Sequence, residues 1–337
     1  MTLLEWKNYF QDRGIEPDLA KKYLAYIKGL QKNNCPVIFE LDHLSQLLEI
    51  DLNYLARMIS ASGNFYRSFH IPKRSGGVRE ICAPHHSLLS CQRWILQNIL
   101  NNIDLHPAAH GFTAGKSIKT NAISHLNSSA ILKMDLENFF PSIPQAWVIQ
   151  VFKEFGYAPN VSYYLSALCC CDGALAQGAA TSPALSNLIL RSLDKRLSKL
   201  ARTCSLIYTR YADDLTFSGK RIHFSLPIKV EEIVKEFGLK VNTKKTRLKL
   251  THGARIVTGI CITNGKLSVP REYKREIKND LFFIRKFGYL SHIANRKIKN
   301  PNYLSSLLGR ISFWLFVEPT NEFAIKGRNT VLELMRS

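Results

Sequence analysis

The 337-residue sequence has no apolar run that approaches the ~20 residues of a membrane-spanning helix. Its first stretch, MTLLEWKNYFQDRG, mixes charged residues into the apolar ones, which excludes a secretory signal of the usual kind. Eight cysteines occur without any CxxC pair, which favours buried free thiols in a reducing compartment over zinc ligands or disulfides. These absences predict a cytoplasmic protein with no membrane partner.

Acidic residues are scarce relative to basic ones. Asp and Glu number 26 against 46 Lys and Arg, which gives a formal net charge of +20. The excess is uneven, since residues 271–300 hold nine basic and three acidic residues, and 240–249 hold five basic residues and no acid. A solvated basic surface is one explanation. A polyanion partner is the stronger one at this magnitude, because neutralising phosphates releases counterions.

Patterns along the chain predict three regions. The first has apolar residues at helical spacing, with Asp42 as a helix cap. The next begins with two β-rich runs around Ser75-Gly76-Gly77, which predict a hairpin over 65–84. The last alternates basic and apolar residues at helical period. We therefore predict an N-terminal helical segment (1–62), a mixed domain (63–270) and a basic helical domain (271–337).

The mixed domain predicts an α+β fold. The stretch SSAILKMDLENFFPSI (128–143) predicts an apolar strand ending at Asp135. Residues 173–201 predict a loop that runs into one long helix. Residues 208–219 predict strand, turn and strand, and 254–263 predict a further strand.

The stretch YTRYADDLTFSG (208–219) places Asp213 and Asp214 at the tip of a predicted hairpin. Two aspartates in a turn are by themselves ordinary turn chemistry. A second predicted strand, however, ends in Asp135. Carboxylates at neighbouring strand ends can hold two divalent cations ~3.5–4 Å apart, which stabilise both oxygens of a phosphoryl displacement. Hard oxygen ligands without a nearby His or Cys favour Mg²⁺.

With these strands, YADD resembles the catalytic signature of reverse transcriptases. The other blocks of that family follow in its order over about 65–265. IPKRSGGVREICAP resembles the fingers hairpin, MDLENFFPSI motif A, AQGAATSPALSN motif B, and GLKVNTKKT motif D. NAISH (121–125) and VTG (257–259) are similar to markers of the retron subgroup. Taken singly, NAISH could be a hydrogen-bonded helix start, and Gly259 a strand bulge.

The resemblance implies an α+β right-hand polymerase fold, with fingers, a palm built on an antiparallel sheet, and a helical thumb. It implies an RNA-directed DNA polymerase of retron type that takes dNTPs and has a dedicated structured non-coding RNA as template and primer. Synthesis would start from a 2′-hydroxyl and give a branched RNA–DNA product, within an antiphage defence system that includes an effector protein. The alternatives are another small bacterial reverse transcriptase, of group II-like or abortive-infection type, and a non-catalytic RNA-binding subunit.

The resemblance also assigns catalytic residues. Two Mg²⁺ ions would be held by Asp135 and Asp213, with Asp214 in a secondary role and the Leu136 carbonyl as a further ligand. Lys245 would protonate the pyrophosphate leaving group. Lys244 competes for that role, and either lysine could instead contact nucleic-acid backbone.

Nucleotide and RNA contacts follow from the same resemblance. Each nucleotide residue has a plainer explanation, as an exposed charge, a loop glycine or a core aromatic. The residues assigned to the nucleotide are Lys73, Arg79, Phe140, Gln177 and Gly178. Those assigned to RNA are Asn121, His125, Val257, Thr258, Gly259, Arg271, Lys274, Arg275 and Lys278.

Overall fold

The computed structural model describes residues 1–73, 76–250, 255–263 and 265–336. The helices are α1 (Leu3–Asp12), α2 (Pro17–Lys32), α3 (Leu41–Leu48), α4 (Leu52–Ser60), α5 (His86–Asn98), α6 (Ile118–Ser124), α7 (Gln145–Glu154), α8 (Pro159–Cys169), α9 (Ser182–Ile189), α10 (Arg191–Thr203), α11 (Leu226–Glu236), α12 (Arg271–Phe287), α13 (Tyr289–Arg296), α14 (Tyr303–Val317) and α15 (Glu322–Arg336). The strands are β1 (Tyr66–Pro72), β2 (Val78–Pro84), β3 (Ala130–Asp135), β4 (Cys170–Cys171), β5 (Ala174–Leu175), β6 (Ile207–Tyr211), β7 (Asp214–Gly219), β8 (Arg247–Lys249), β9 (Arg255–Val257), β10 (Ile260–Thr263) and β11 (Lys266–Ser268). Within these ranges no helix is long and apolar enough to cross a membrane.

The N-terminal region is helical, as predicted, but its caps differ. Asp42 lies inside the first turn of α3 and does not cap it. Asp51 is the cap of the next helix, α4, where its carboxylate accepts from the Tyr54 N–H at 2.9 Å. Between the two helices the chain turns at Glu49, which has a left-handed φ of 55°. The prediction that Asp42 caps a helix was therefore wrong. The helical spacing of apolar residues runs through α3, the turn at Glu49 and α4, so the spacing alone does not mark where each helix begins.

A four-stranded antiparallel sheet in the order β6-β7-β3-β8 forms the centre of the molecule. Its central strand β3 is buried at five of its six positions, because helices cover the sheet. The register places Asp135 directly opposite Asp214, and Tyr211 opposite the same residue. The predicted strands and the antiparallel sheet are confirmed.

The predicted hairpin over 65–84 is also confirmed, as β1 paired with β2. Gly76 and Gly77 have φ values of 87° and 79°, which a residue with a Cβ rarely adopts. Arg74 and Ser75 lie outside the described residues. Most of β1 and the tip of β2 are exposed, so this hairpin projects from the body.

Two predicted elements are each divided in the structure. The long helix expected within 173–201 is α9 followed by α10, because Leu190 leaves the helical conformation with a ψ of 2°. The strand expected over 254–263 is the hairpin β9–β10, with its turn at Thr258 and Gly259. These two residues have φ values of 45° and 82°, so the chain reverses there rather than bulging.

The buried residues form two cores. The larger core contains the four-stranded sheet β6-β7-β3-β8, which we call the palm sheet, and the helices that cover it. It also contains Leu30, Leu55 and Met58 of the N-terminal helices. The smaller unites helices α12, α14 and α15 with the three-stranded sheet β11-β10-β9, through residues such as Val257. Ala122 of α6 belongs to the smaller core, so α6 joins the two parts.

Candidate active site

Three aspartates meet at one edge of the palm sheet. Strand β6 ends at Tyr211 and β7 begins at Asp214, so Ala212 and Asp213 form the turn. Asp135 ends β3 directly opposite Asp214. The backbone N–H of Leu136 donates to the Asp213 carbonyl at 3.0 Å, which ties motif A to the turn.

Burial and like charge set the electrostatics of this edge. Burial raises the pKa of Asp213 to about 6, and the neighbouring charges of Asp214 and Asp135 add to the rise. Burial also raises the pKa of Asp214, with Lys133 opposing the shift and Asp135 adding to it. Three carboxylates held this close repel one another, which a cation at this edge would relieve.

Lys245 supplies such a cation in this structure. Its ammonium donates to both oxygens of Asp135, at 2.8 and 3.0 Å. That hydrogen bond raises the pKa of Lys245. The lysine lies in a short turn held against motif A by the bond from the Asn242 N–H to the Asp135 carbonyl, at 2.7 Å. Lys244 is exposed, and its carbonyl accepts from Arg247, so Lys245 is the lysine placed at the carboxylates.

The donor set fits a hard divalent cation, because it offers carboxylate oxygens and no sulfur or imidazole. Among the described residues, no three Asp, Glu, His or Cys side chains are already gathered as a metal site. Asp135 is engaged by Lys245 instead. A metal at this edge would therefore replace the lysine at Asp135.

A buried charge network lies beneath the turn that carries Asp213, and the sequence analysis did not predict it. The guanidinium of Arg210 and the carboxylate of Asp194 are fully buried and form two hydrogen bonds, at 2.9 and 2.7 Å. Arg210 also donates to Asn187 at 2.9 Å and to the Ala212 carbonyl at 3.2 Å. Because the last bond reaches the residue before Asp213, this network positions the turn.

Gly111 brings a further loop against the turn. Its carbonyl accepts from Asn187 at 2.8 Å. A Cβ at this glycine would lie 2.5 Å from the Ala212 nitrogen, so only glycine allows the two backbones to approach this closely. The glycine is the only sign of this contact in the sequence. The residue that it approaches, Ala212, lies far along the chain and could not be identified from the sequence.

The fingers hairpin reaches motif B through backbone contacts. The Cys82 N–H donates to the Gln177 carbonyl at 2.9 Å. Gly178 has a φ of 136°, and a Cβ there would lie 2.6 Å from the Cys82 carbonyl oxygen. The approach of β2 therefore requires this glycine. Ile81 also lies 3.2 Å from that Cβ position, and Arg79 shares its face of β2 by strand alternation.

The other residues that were predicted to contact the nucleotide differ in how far their side chains are buried. Phe139 is 6% exposed and lies in the larger core. The Phe140 ring is only partly buried, 5.1 Å from Phe139 and 6.2 Å from Phe112 between ring centroids. Lys73 is exposed at the hairpin turn, where its N–H donates to the Gly77 carbonyl at 2.9 Å.

Asn121 and His125 lie in the interior, which corrects the prediction that their side chains contact RNA. They are 0% and 1% exposed. His125 bonds Ser218 at 2.6 Å and Thr209 at 2.7 Å, and Thr209 donates to Asn121 at 2.6 Å. Burial, with a smaller contribution from His110, lowers the pKa of His125 to about 3. Both residues fasten α6 to the palm strands.

The second marker, VTG, packs against the first. Val257 is fully buried in the smaller core, so it too is unavailable to RNA. The Thr258 hydroxyl donates to the Ile118 carbonyl at the start of α6, at 3.0 Å. Gly259 is exposed at the turn. The two marker stretches thus form one contact between α6 and the three-stranded sheet β11-β10-β9.

The four basic residues of α12 that were assigned to RNA fall into two groups. Arg271, Arg275 and Lys278 are exposed. Lys274 is instead paired with Glu318, at 2.7 and 2.9 Å from its two oxygens, and lies over the Trp314 ring. Its ammonium is therefore engaged inside the thumb, while its assignment to RNA stays a prediction.

Comparisons with known proteins agree with this geometry. The family described as reverse transcriptase (RNA-dependent DNA polymerase) matches residues 71–293. Retron Ec86 reverse transcriptase of Escherichia coli is 34% identical over 280 residues, which cover 81% of this chain and 88% of that protein. Two Myxococcus xanthus proteins, the retron Mx162 and Mx65 reverse transcriptases, are 34% and 39% identical over 80% and 63% of this chain. This chain spans 61% and 54% of those two longer proteins. With its right-hand fold and its aspartates at one sheet edge, the chain belongs to the reverse transcriptase family and, within it, to the RNA-directed DNA polymerases of retron type.

Proposed function

We propose that the protein copies part of a dedicated structured RNA into DNA by two-metal nucleotidyl transfer. The observation that carries this proposal is the meeting of Asp135, Asp213 and Asp214 at one edge of the palm sheet, under mutual repulsion that cations would relieve. We further propose priming from a 2′-hydroxyl of that RNA, a branched RNA–DNA product, and service in a cytoplasmic antiphage system with an effector protein. These finer steps rest on similarity to retron enzymes.

The carboxylates and Lys245 have complementary roles. Asp135, Asp213, Asp214 and the Leu136 carbonyl would hold two Mg²⁺ ions. Bound there, the ions would stabilise the attacking and leaving oxygens of the phosphoryl transfer. Lys245, once its ammonium is released from Asp135, lies close enough to donate a proton to the departing pyrophosphate.

The incoming dNTP would lie between the palm and the fingers hairpin. Arg79 lies on the face of β2 that is turned toward motif B, and it would bind the triphosphate together with Lys73. Gln177 and Gly178 are fixed by β2 and would contact the nucleotide from the motif B side. Phe140 would lie under the sugar, where its ring leaves no room for a 2′-hydroxyl.

The thumb would bind the RNA through the outer face of α12. Arg271, Arg275 and Lys278 are exposed there, and Phe282 and Phe287 lie further along the helix with about half of each residue exposed, 56% and 51%. Basic groups beside exposed rings suit an RNA whose unpaired bases can stack. Gly259 is exposed at the β9–β10 turn, and it would extend this contact together with the half-buried Thr258.

Primer extension with the Asp213→Asn enzyme tests the proposal. The change removes a metal ligand with little change in volume, so we expect DNA synthesis to fall by at least a thousandfold. RNA affinity should stay within threefold of wild type. The metal-free unfolding temperature should not fall, because one of three repelling charges is lost.

Asp104→Asn is the matched control, because it makes the same chemical change at an exposed aspartate. We expect this variant to synthesise DNA at the wild-type rate. Residual synthesis by Asp213→Asn within tenfold of wild type would remove Asp213 from the catalytic set. A branched RNA–DNA species recovered with the wild-type protein, and an unextended RNA with Asp213→Asn, would support the priming proposal.

A further inference from the structure

Phe112 combines two unfavourable features. Its backbone has a left-handed φ of 59°, which bulky residues rarely adopt. Its side chain is nevertheless large, apolar and 48% exposed. Neither local conformational preference nor burial of the ring accounts for a phenylalanine at this position.

The surrounding structure holds this conformation in place. The preceding residue, Gly111, packs against the Ala212 nitrogen of the catalytic turn and accepts a hydrogen bond from Asn187 of motif B. One residue earlier, the His110 N–H donates to the Arg210 carbonyl at 2.7 Å. A strained backbone persists when such contacts over-determine it, and strain of this kind concentrates at functional sites.

The ring of Phe112 extends the aromatic surface that begins in motif A. Its centroid lies 6.2 Å from that of Phe140, at an interplanar angle of 38°. This spacing is typical of interacting rings. Phe140 is followed inward by the buried ring of Phe139, at 5.1 Å. Phe112 is therefore the outermost of three successive rings beside the turn that carries Asp213.

We propose that Phe112 is a specificity-determining residue that contacts the incoming deoxynucleoside triphosphate. Together with Phe140 it forms a two-ring wall against the sugar and base of that nucleotide. This inference rests on the proposed function. The wall explains why a ring is retained where the backbone favours glycine: an exposed aromatic face offers a stacking surface to a base.

Two variants separate the ring from the backbone. Phe112→Gly removes the ring and suits the left-handed φ, whereas Phe112→Ala removes the ring and keeps the strain. We expect both variants to raise the KM for dNTP about tenfold, as loss of one stacking contact does, with kcat within threefold of wild type. The unfolding temperature of the Gly variant should equal or exceed that of wild type.

Single-nucleotide incorporation on a primed RNA template, with dGTP and GTP, provides the readout. Phe224→Ala is the control, because Phe224 is 76% exposed and follows the far end of β7. A Gly variant with wild-type KM for dNTP would overturn the proposal, as would a change confined to template affinity. Failure of the proposed function would be seen separately, as absence of synthesis by the wild-type enzyme itself.

Discussion

In the proposed mechanism, Lys245 and a metal ion would compete for Asp135. The ammonium contacts both carboxylate oxygens, yet the lysine side chain is 55% exposed. The Asp135 side chain is only 11% exposed, so a divalent cation, with its higher charge, would displace the ammonium from it. The displaced ammonium would then remain beside the carboxylates, where the proposed proton donor to pyrophosphate is needed.

Phe139 and Phe140 are adjacent residues with different surroundings, so equal substitutions should have different effects. Phe140→Ala should accept rNTPs at least tenfold more readily while retaining dNTP incorporation, because the ring that would exclude a 2′-hydroxyl is gone. Phe139→Ala should instead destabilise the fold by about 3–5 kcal/mol, since it empties a buried core position. Incorporation kinetics with dGTP and GTP, and urea unfolding, measure the two effects.

Each variant is the control for the other. An unchanged dGTP/GTP preference in a folded, active Phe140→Ala enzyme would place the sugar discrimination elsewhere. A Phe139→Ala protein as stable as wild type would contradict the burial of that ring.

A chain of hydrogen bonds in which every donor and acceptor is fixed connects helix α6 to the palm sheet. Thr209 donates to Asn121 and therefore accepts from Nε2 of His125. The other ring nitrogen, Nδ1, then accepts from Ser218, which in turn accepts from Ser128 at 2.8 Å. A neutral imidazole thus engages both ring nitrogens of His125 and the hydroxyls of Thr209 and Ser218, whereas Nδ2 of Asn121 is buried without a hydrogen-bond partner. Asn121 and His125 of the retron marker thus connect α6 to strands β6 and β7.

Burial of a neutral His125 makes stability depend on pH. The folded pKa of about 3 lies below the usual value of 6.5. Below pH 6.5 the unfolded chain therefore binds a proton that the native state does not bind, and stability falls as pH falls. Between pH 8 and pH 5 we expect His125 to cost about 2 kcal/mol. His125→Gln, which stays neutral, should lose correspondingly less in urea unfolding at these two pH values.

His223→Gln is the matched control, since His223 is exposed and its substitution should leave the pH dependence unchanged. A His125→Gln protein with the same loss of stability as wild type between pH 8 and pH 5 would show that another group is responsible.

Sequence patterns predicted the elements whose cause is local. An apolar run and a terminal carboxylate located β3 and Asp135, and the two glycines located the fingers hairpin. Features set by distant partners were not predictable in this way. No glycine or proline within 184–203 marks the break at Leu190, and the close approach of Gly111 to Ala212 depends on packing between elements. The motif NAISH was recognised correctly, but a motif does not reveal whether its side chains face RNA or the interior.

On the scale of the whole molecule, three of the six acidic residues in 271–336 form ion pairs with basic residues of the same region. Arg310 donates to Asp280 and Glu276 at 3.0 and 3.1 Å, and Lys274 is paired with Glu318. These internal pairs engage half of the acidic residues on the thumb helices. The outer face of α12 is left with a basic surplus, in a protein whose net charge is +20.

The salt dependence of RNA binding should distinguish the outer basic residues from the inner one. The double variant Arg271→Gln/Arg275→Gln should weaken RNA binding and reduce the slope of log affinity against log salt by about one per lost phosphate contact. Its stability should be unchanged, because both residues are exposed.

Lys274→Gln removes a charge from the same helix, but it should keep the wild-type slope of log affinity against log salt. It should lose about 1–2 kcal/mol of stability, because Glu318 loses its basic partner. Titration of the cognate RNA at several salt concentrations, with urea unfolding alongside, measures both. A slope that changes with Lys274→Gln and not with the double variant would place the RNA on a different face of the thumb.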